Sequence, residues 1–140
     1  MIRPLQFSLA FAILAACSDE PFTPTVANMA GSYHTTTLRV TDSTGTTDYL
    51  AIGSSITLQL DTSGAVSGHL LIIGGSDDPG GGDLEGDLSG TWALTGRTIT
   101  FDQPEDTFIR DWDFHAGPGW FGNTQSDPSG KVTATVVFAR

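Results

Sequence analysis

The sequence predicts an all-β fold: an antiparallel meander closed or nearly closed into a small barrel of eight to nine strands. Three observations predict it. After Ala30 the chain breaks into short runs of alternating apolar and polar residues, separated by Gly, Asp and Ser, which is the period of half-buried strands. The composition fits: 17 glycines, abundant Thr and Ser and a single Lys suit strands and tight turns rather than helices. Finally, two hairpins can be set in register, and each places apolar residues opposite apolar residues. Consecutive strands joined by short turns make a meander, and closure removes its exposed edges. A sandwich would require long crossovers, which are not evident.

The chain opens with Met1-Ile2-Arg3 and an apolar run, Leu5 to Ala16, interrupted by Gln6 and Ser8. That run is shorter than the about 20 residues needed to span a bilayer, so it reads as a cleaved export signal over 1–16. Leu14-Ala15-Ala16-Cys17 resembles the lipobox of bacterial lipoproteins, and Cys17 is the only cysteine. The resemblance implies lipidation of Cys17, which becomes the first mature residue and the membrane anchor. Ser18 rather than Asp follows it, which in that family implies sorting to the outer membrane. The expected localisation is therefore the cell envelope, lipid-anchored, facing the periplasm. Residues 17–29 carry Pro21 and Pro24 and little periodicity, and are expected to be a flexible tether. Residues 30–140 form the domain.

Eight strands are expected, at about 32–41, 46–51, 54–61, 65–74, 86–94, 97–103, 107–115 and 130–139, and no helix. In the first hairpin, Asp61-Thr62-Ser63-Gly64 ends in a left-handed Gly64. It sets Leu60 opposite Val66 and Ile56 opposite Leu70, with Gln59, Ser67 and His69 on the other face. In the second, Gly96-Arg97 suits a type II′ turn and sets Leu94 opposite Ile99 and Trp92 opposite Phe101.

The domain resembles the lipocalin-like small lipoproteins of the calycin group. Gly31-Ser32-Tyr33 stands where lipocalins carry Gly-x-Trp at the opening strand. Gly90-Thr91-Trp92 with Arg97-Thr98-Ile99-Thr100-Phe101 resembles their mid-chain hairpin. Val136-Val137-Phe138-Ala139-Arg140 resembles the closing strand, which in that family tends to place an Arg near the first-strand aromatic.

Charge excludes one class of partner. The mature chain carries 5 basic against 16 acidic side chains, a formal balance of −11, so it lacks the basic footprint that nucleic-acid binding needs. The same charge repels anionic lipid surfaces, which leaves membrane attachment to the lipid on Cys17.

Other candidates read two ways. Asp111, Asp113 and His115 alternate on one expected strand and form either a metal-ligating face or a solvated one. The Gly- and Asp-rich stretch 74–87 is either a Ca²⁺-binding loop or a mobile acidic loop without the EF-hand spacing. Gly117 to Gly122 either tucks Trp120 and Phe121 onto the core, as a short extra strand or loop, or forms a lid. His34, His69 and His115 fall on three different strands, so no cofactor is expected. No Gly-x-Ser-x-Gly or His-Glu-x-x-His pattern occurs, and a non-enzyme is expected.

Two functions follow. A membrane-anchored meander with inward aromatics suggests a barrel binding a small apolar ligand at micromolar level, through Tyr33, Trp92, Phe101, Trp112, Phe114 and Trp120. The alternative is a structural or partner-binding envelope lipoprotein whose barrel is filled, its protein partner unspecified. The number of large inward residues that pack without a cavity separates the two.

Overall fold

In a computed structural model, which describes residues 20–76 and 79–140, the chain forms nine antiparallel strands. They are β1 (Gly31–Asp42), β2 (Gly45–Asp48), β3 (Ser55–Leu60), β4 (Ala65–Ile72), β5 (Leu84–Thr95), β6 (Thr98–Asp102), β7 (Phe114–Gly117), β8 (Trp120–Ser126) and β9 (Thr133–Ala139). Eight of them close into a barrel through pairing of β1 with β9, and β2 lies outside as an extension hairpin on β1.

Strand β1 serves two neighbours on one edge. Residues Gly31 to His34 pair with β3, and Arg39 to Asp42 pair with β2. The strand bends at a bulge between Thr35 and Thr37. There the buried Thr35 hydroxyl takes over the ladder, accepting from Ile56 N–H at 2.9 Å and donating to Ile56 C=O at 3.2 Å.

Both expected hairpins form in the expected register: Leu60 faces Val66, Ile56 faces Leu70, Leu94 faces Ile99 and Trp92 faces Phe101. Gly64 has φ +89° and Gly96 φ +61°, while Arg97 is not left-handed, as a type II′ turn requires. Period-2 burial is clearest in β3, where Ile56, Leu58 and Leu60 are buried and their neighbours exposed.

Three expectations need correction. The strand expected over 107–115 is instead a short helix, α2 (Phe108–Asp111), followed by β7. Phe108 and Trp112 stack four residues apart, with ring centroids 5.2 Å apart, and Ile109 on the same helix is fully buried. That spacing is helical, and it prevails over the alternation of Asp111 to His115. The stretch expected over 46–51 is strand only to Asp48, because Asp48 accepts from Leu50 N–H at 3.1 Å and turns the chain. The end of the expected tether is folded. Val26–Met29 forms a helical turn, α1, closed by a reciprocal Thr25–Asn28 capping box. Met29 is fully buried, and Arg97 donates to the Phe22 carbonyl at 2.5 Å. Cys17 and the signal segment lie outside the described residues, as do Asp77 and Asp78 of the acidic loop.

The turns at 61–64, 96–97 and 118–119, the C-terminus and α1 gather at one end of the barrel. The loop 49–54, residues 73–76 and 79–83, the loop 127–132 and helix α2 gather at the other. The α1 end is latched shut. Tyr33 Oη donates to Met29 C=O at 2.8 Å and accepts from Arg140 Nε at 3.1 Å. The guanidinium lies over the Tyr33 ring, 5.3 Å from its centroid, and also donates to Asn28 C=O.

Candidate functional site

Inside the barrel the aromatics sort by height. Phe121 is the hub near the α1 end, with ring centroids 4.9 Å from Tyr33, 4.9 Å from Phe138 and 5.7 Å from Phe114. Phe101 sits 5.7 Å from Phe114. All five rings are buried, and most pairs meet edge to face, which favours the positive ring edge against the negative face. Trp92 closes this layer, donating its indole N–H to Asp61 C=O at 2.8 Å.

Toward α2 the filling stops. A cavity of about 220 Å³ opens there, walled by Leu38 and Val40 of β1, Ile72 of β4, Val136 of β9, Phe108 of α2 and Trp112 just past it. Tyr49, which follows β2, and Leu84 at the start of β5 complete it. The lining is almost wholly apolar, because each strand presents its inward phase there. Phe108 at the start of α2 and Trp112 just past its end border the opening with two aromatic rings.

Of the six residues expected at a ligand site, Trp112 lines this cavity. Tyr33, Trp92, Phe101 and Phe114 point inward as expected but belong to the packed layer. Trp120 is on the outside: it is about one-third exposed and stacks on His115 at 6.0 Å. The stretch 117–122 is thus a turn and the start of β8, with Phe121 in the core and no lid. Phe108 and Tyr49 were not anticipated as cavity walls. The spacing of Phe108 and Trp112 was the available signal for the first.

Asp111, Asp113 and His115 do not share a face, since Asp111 lies on α2 and accepts from Arg110 Nε at 2.8 Å. Among the described residues no group of three His, Cys, Asp or Glu side chains is placed to hold a metal ion. Glu85 and Asp87, from the stretch expected as an acidic loop, are outward residues of β5. They flank His69, with Asp87 Oδ1 2.9 Å from Nδ1 and Glu85 Oε1 3.2 Å from Nε2. The hydrogen bond to Asp87 is the largest cause that raises the His69 pKa above its usual 6.5; desolvation opposes it, and the hydrogen bond to Glu85 and the charges of both carboxylates add to the rise.

The barrel wall is incomplete on one side. β5 pairs with β4 from Leu84 to Thr91 but with β6 only from Thr91 to Thr95. Beside the unladdered half of β5 runs the segment linking β6 to α2. Between them is a cleft with Leu70 and Leu88 in its floor and Glu105, Asp106 and Thr107 at its rim. Leu84 lines both this cleft and the apolar cavity.

Comparison with protein-family models, curated proteins and solved structures gave no match. The architecture is compatible with a lipocalin-like barrel: an eight-stranded antiparallel meander with its first strand pairing the last. The Tyr33–Arg140 contact is the one the resemblance implied.

Proposed function

We propose that this protein is a lipid-anchored lipoprotein of the cell envelope whose lipocalin-like barrel binds a small apolar ligand at its α2 end. The observation that carries the reading is the apolar cavity under Phe108 and Trp112. It lies in a barrel otherwise filled by aromatic rings, and it is smaller than the about 300–1,000 Å³ of ordinary small-molecule pockets. The guest is therefore a short chain or a single ring. The lipobox-like Leu14 to Cys17 supports attachment to a membrane, with the outer membrane favoured by Ser18. A membrane surface is a source of apolar molecules of this kind.

Titration with 1-octanol, followed through tryptophan fluorescence, tests the reading. Eight carbons at about 0.8 kcal/mol each give a dissociation constant on the order of tens of micromolar. Saturable binding that Trp112→Ala weakens supports it. The packed layer of Tyr33, Phe101, Phe114, Phe121 and Phe138 favours the second reading, a filled structural or partner-binding barrel. Absence of saturable binding would decide for that one.

A further inference from the structure

The segment between β6 and α2 carries buried polar groups that, unlike Thr35 and Ser54, lack hydrogen-bond partners among the described residues. Ile99 and Phe101 are buried on β6, and Gln103, just past its end, continues the alternation and is only 2% exposed. Neither its amide nitrogen nor its amide oxygen has a hydrogen-bond partner among the described residues. Two further atoms share that condition: Glu105 Oε2 and Thr107 Oγ1. Glu105 is held from its other oxygen, where Ser89 Oγ donates at 3.4 Å. An unsatisfied buried polar group is costly, and a wholly apolar filling of this corner would leave four such atoms in place.

Two of these groups line the cleft beside the cavity, and Gln103 is buried a few residues before them in the chain. Gln103 is one step nearer α2 than Phe101, the ring at the upper edge of the packed layer. Glu105 and Thr107 line the cleft in the unladdered wall, and that cleft meets the apolar cavity at Leu84. A guest whose chain fills the cavity reaches this corner by extending its polar end past Leu84.

The corner has an acidic excess: Glu85 and Asp87 flank His69 and Asp106 pairs with Arg110, which leaves Glu105 without an ion-pair partner among the described residues. Glu105 and Asp106 rim the cleft, and Glu85 and Asp87 line it from β5. The nearby base, Arg110, is already engaged by both Asp106 and Asp111. The unsatisfied set mixes acceptors, the Gln103 and Glu105 oxygens, with donors, the Gln103 amide and the Thr107 hydroxyl, so the charge of Glu105 decides which head is preferred. Such a corner attracts a donor and repels an anion.

Given the ligand-binding reading above, on which this rests, we propose that Gln103, Glu105 and Thr107 form the head-group subsite of the barrel. It selects a small amphiphile with a hydrogen-bond-donating head, an amine or an alcohol, over a carboxylate of the same chain length. Gln103 and Glu105 are the specificity-determining residues.

Three probes of equal length test this at pH 7 with the full-length mature protein: octylammonium, 1-octanol and octanoate. The expected order of affinity is octylammonium, then octanol, then octanoate, with at least tenfold between the first and last. Glu105→Gln should bring the amine to within threefold of octanol. Glu20→Gln, which removes the same charge at the other end of the barrel, should leave the tenfold gap intact. Gln103→Leu should raise the melting temperature of the free protein, since an isosteric apolar group replaces unsatisfied atoms, while weakening octanol. Failure of all three probes to bind overturns the ligand reading itself. Equal binding of all three, or tightest binding of octanoate, overturns the head-group subsite and leaves the apolar reading standing. A gap that Glu20→Gln abolishes as fully as Glu105→Gln also overturns the subsite, because net charge alone would then explain it.

Discussion

Trp92 separates structure from binding most cleanly, because the sequence places it at a ligand site and the structure places it in the packed layer. It is 5% exposed, faces Phe101 across β5 and β6, and donates to Asp61 C=O at the turn between β3 and β4. Two substitutions divide its contribution. Trp92→Phe keeps a ring in the layer and removes the indole donor, which costs about 1 kcal/mol for a typical hydrogen bond. Trp92→Ala also empties a site that neighbouring strands close only in part, and costs about 3–5 kcal/mol. Against a stability of about 5–15 kcal/mol for a domain this size, the second loss is large but survivable. Urea unfolding followed by circular dichroism gives both values, with an unchanged slope marking a change in stability alone. Octanol titration of the folded Trp92→Phe protein should give the wild-type affinity, since Trp92 does not line the cavity. A tenfold loss of affinity in Trp92→Phe, or a Trp92→Ala cost below about 1 kcal/mol, would refute the division of the barrel into a packed layer and a cavity.

Other perturbations test separate parts. Gly96→Val places a β-branched residue at φ +61° and should cost about 1–3 kcal/mol; an unchanged melting temperature would remove the type II′ turn. The His69 pKa is raised by Asp87 and Glu85, so this cluster stabilises the fold below the unfolded value near 6.5 and loses that contribution as pH rises through the folded value. Asp87→Asn should lower the His69 titration midpoint in an NMR pH series, and an unmoved midpoint counts against the contact. Cys17→Ser should leave the precursor uncut by the lipoprotein pathway; tight membrane association at mature size in that variant would sink the proposed anchor.

The parts of the fold that were legible in the sequence are those fixed by short-range geometry. Asp61 to Gly64 and Gly96-Arg97 each impose a loop length, a loop length imposes a register, and the register then has to bring apolar partners together. Leu60 with Val66 and Trp92 with Phe101 satisfied that condition before any tertiary contact was known. The stretch expected as a strand over 107–115 differs for the opposite reason. Its residues fit two periods: Asp111 to His115 alternates like a strand, while Phe108, Ile109 and Trp112 repeat like a helix. Which period prevails depends on what lies beneath. Here Ile109 is drawn into the core and Phe108 stacks on Trp112 across the barrel end. No local signal carries that information, and the same holds for α1, whose packing depends on Met29 reaching the core.

The site was legible in direction but not in height. Alternation along a strand tells which side chains enter a barrel, and it did so for Tyr33, Phe101 and Phe114. Whether an inward ring plugs the barrel or walls a cavity depends on its level along the axis, which follows from strand tilt and stagger. Phe114 and Trp112 are two residues apart and make the point between them. Phe114 on β7 meets Phe121 and Phe138 and is sealed, whereas Trp112, just past α2, borders the cavity. The inward phase of Gln103 was equally readable, since it continues Ile99 and Phe101, yet an amide in that phase has meaning only once its level is known. One step lower it would oppose the phenylalanine cluster as a defect. At its actual level, just past the end of β6 and opposite the open half of β5, its amide is buried without a partner among the described residues, and that marks this corner as polar.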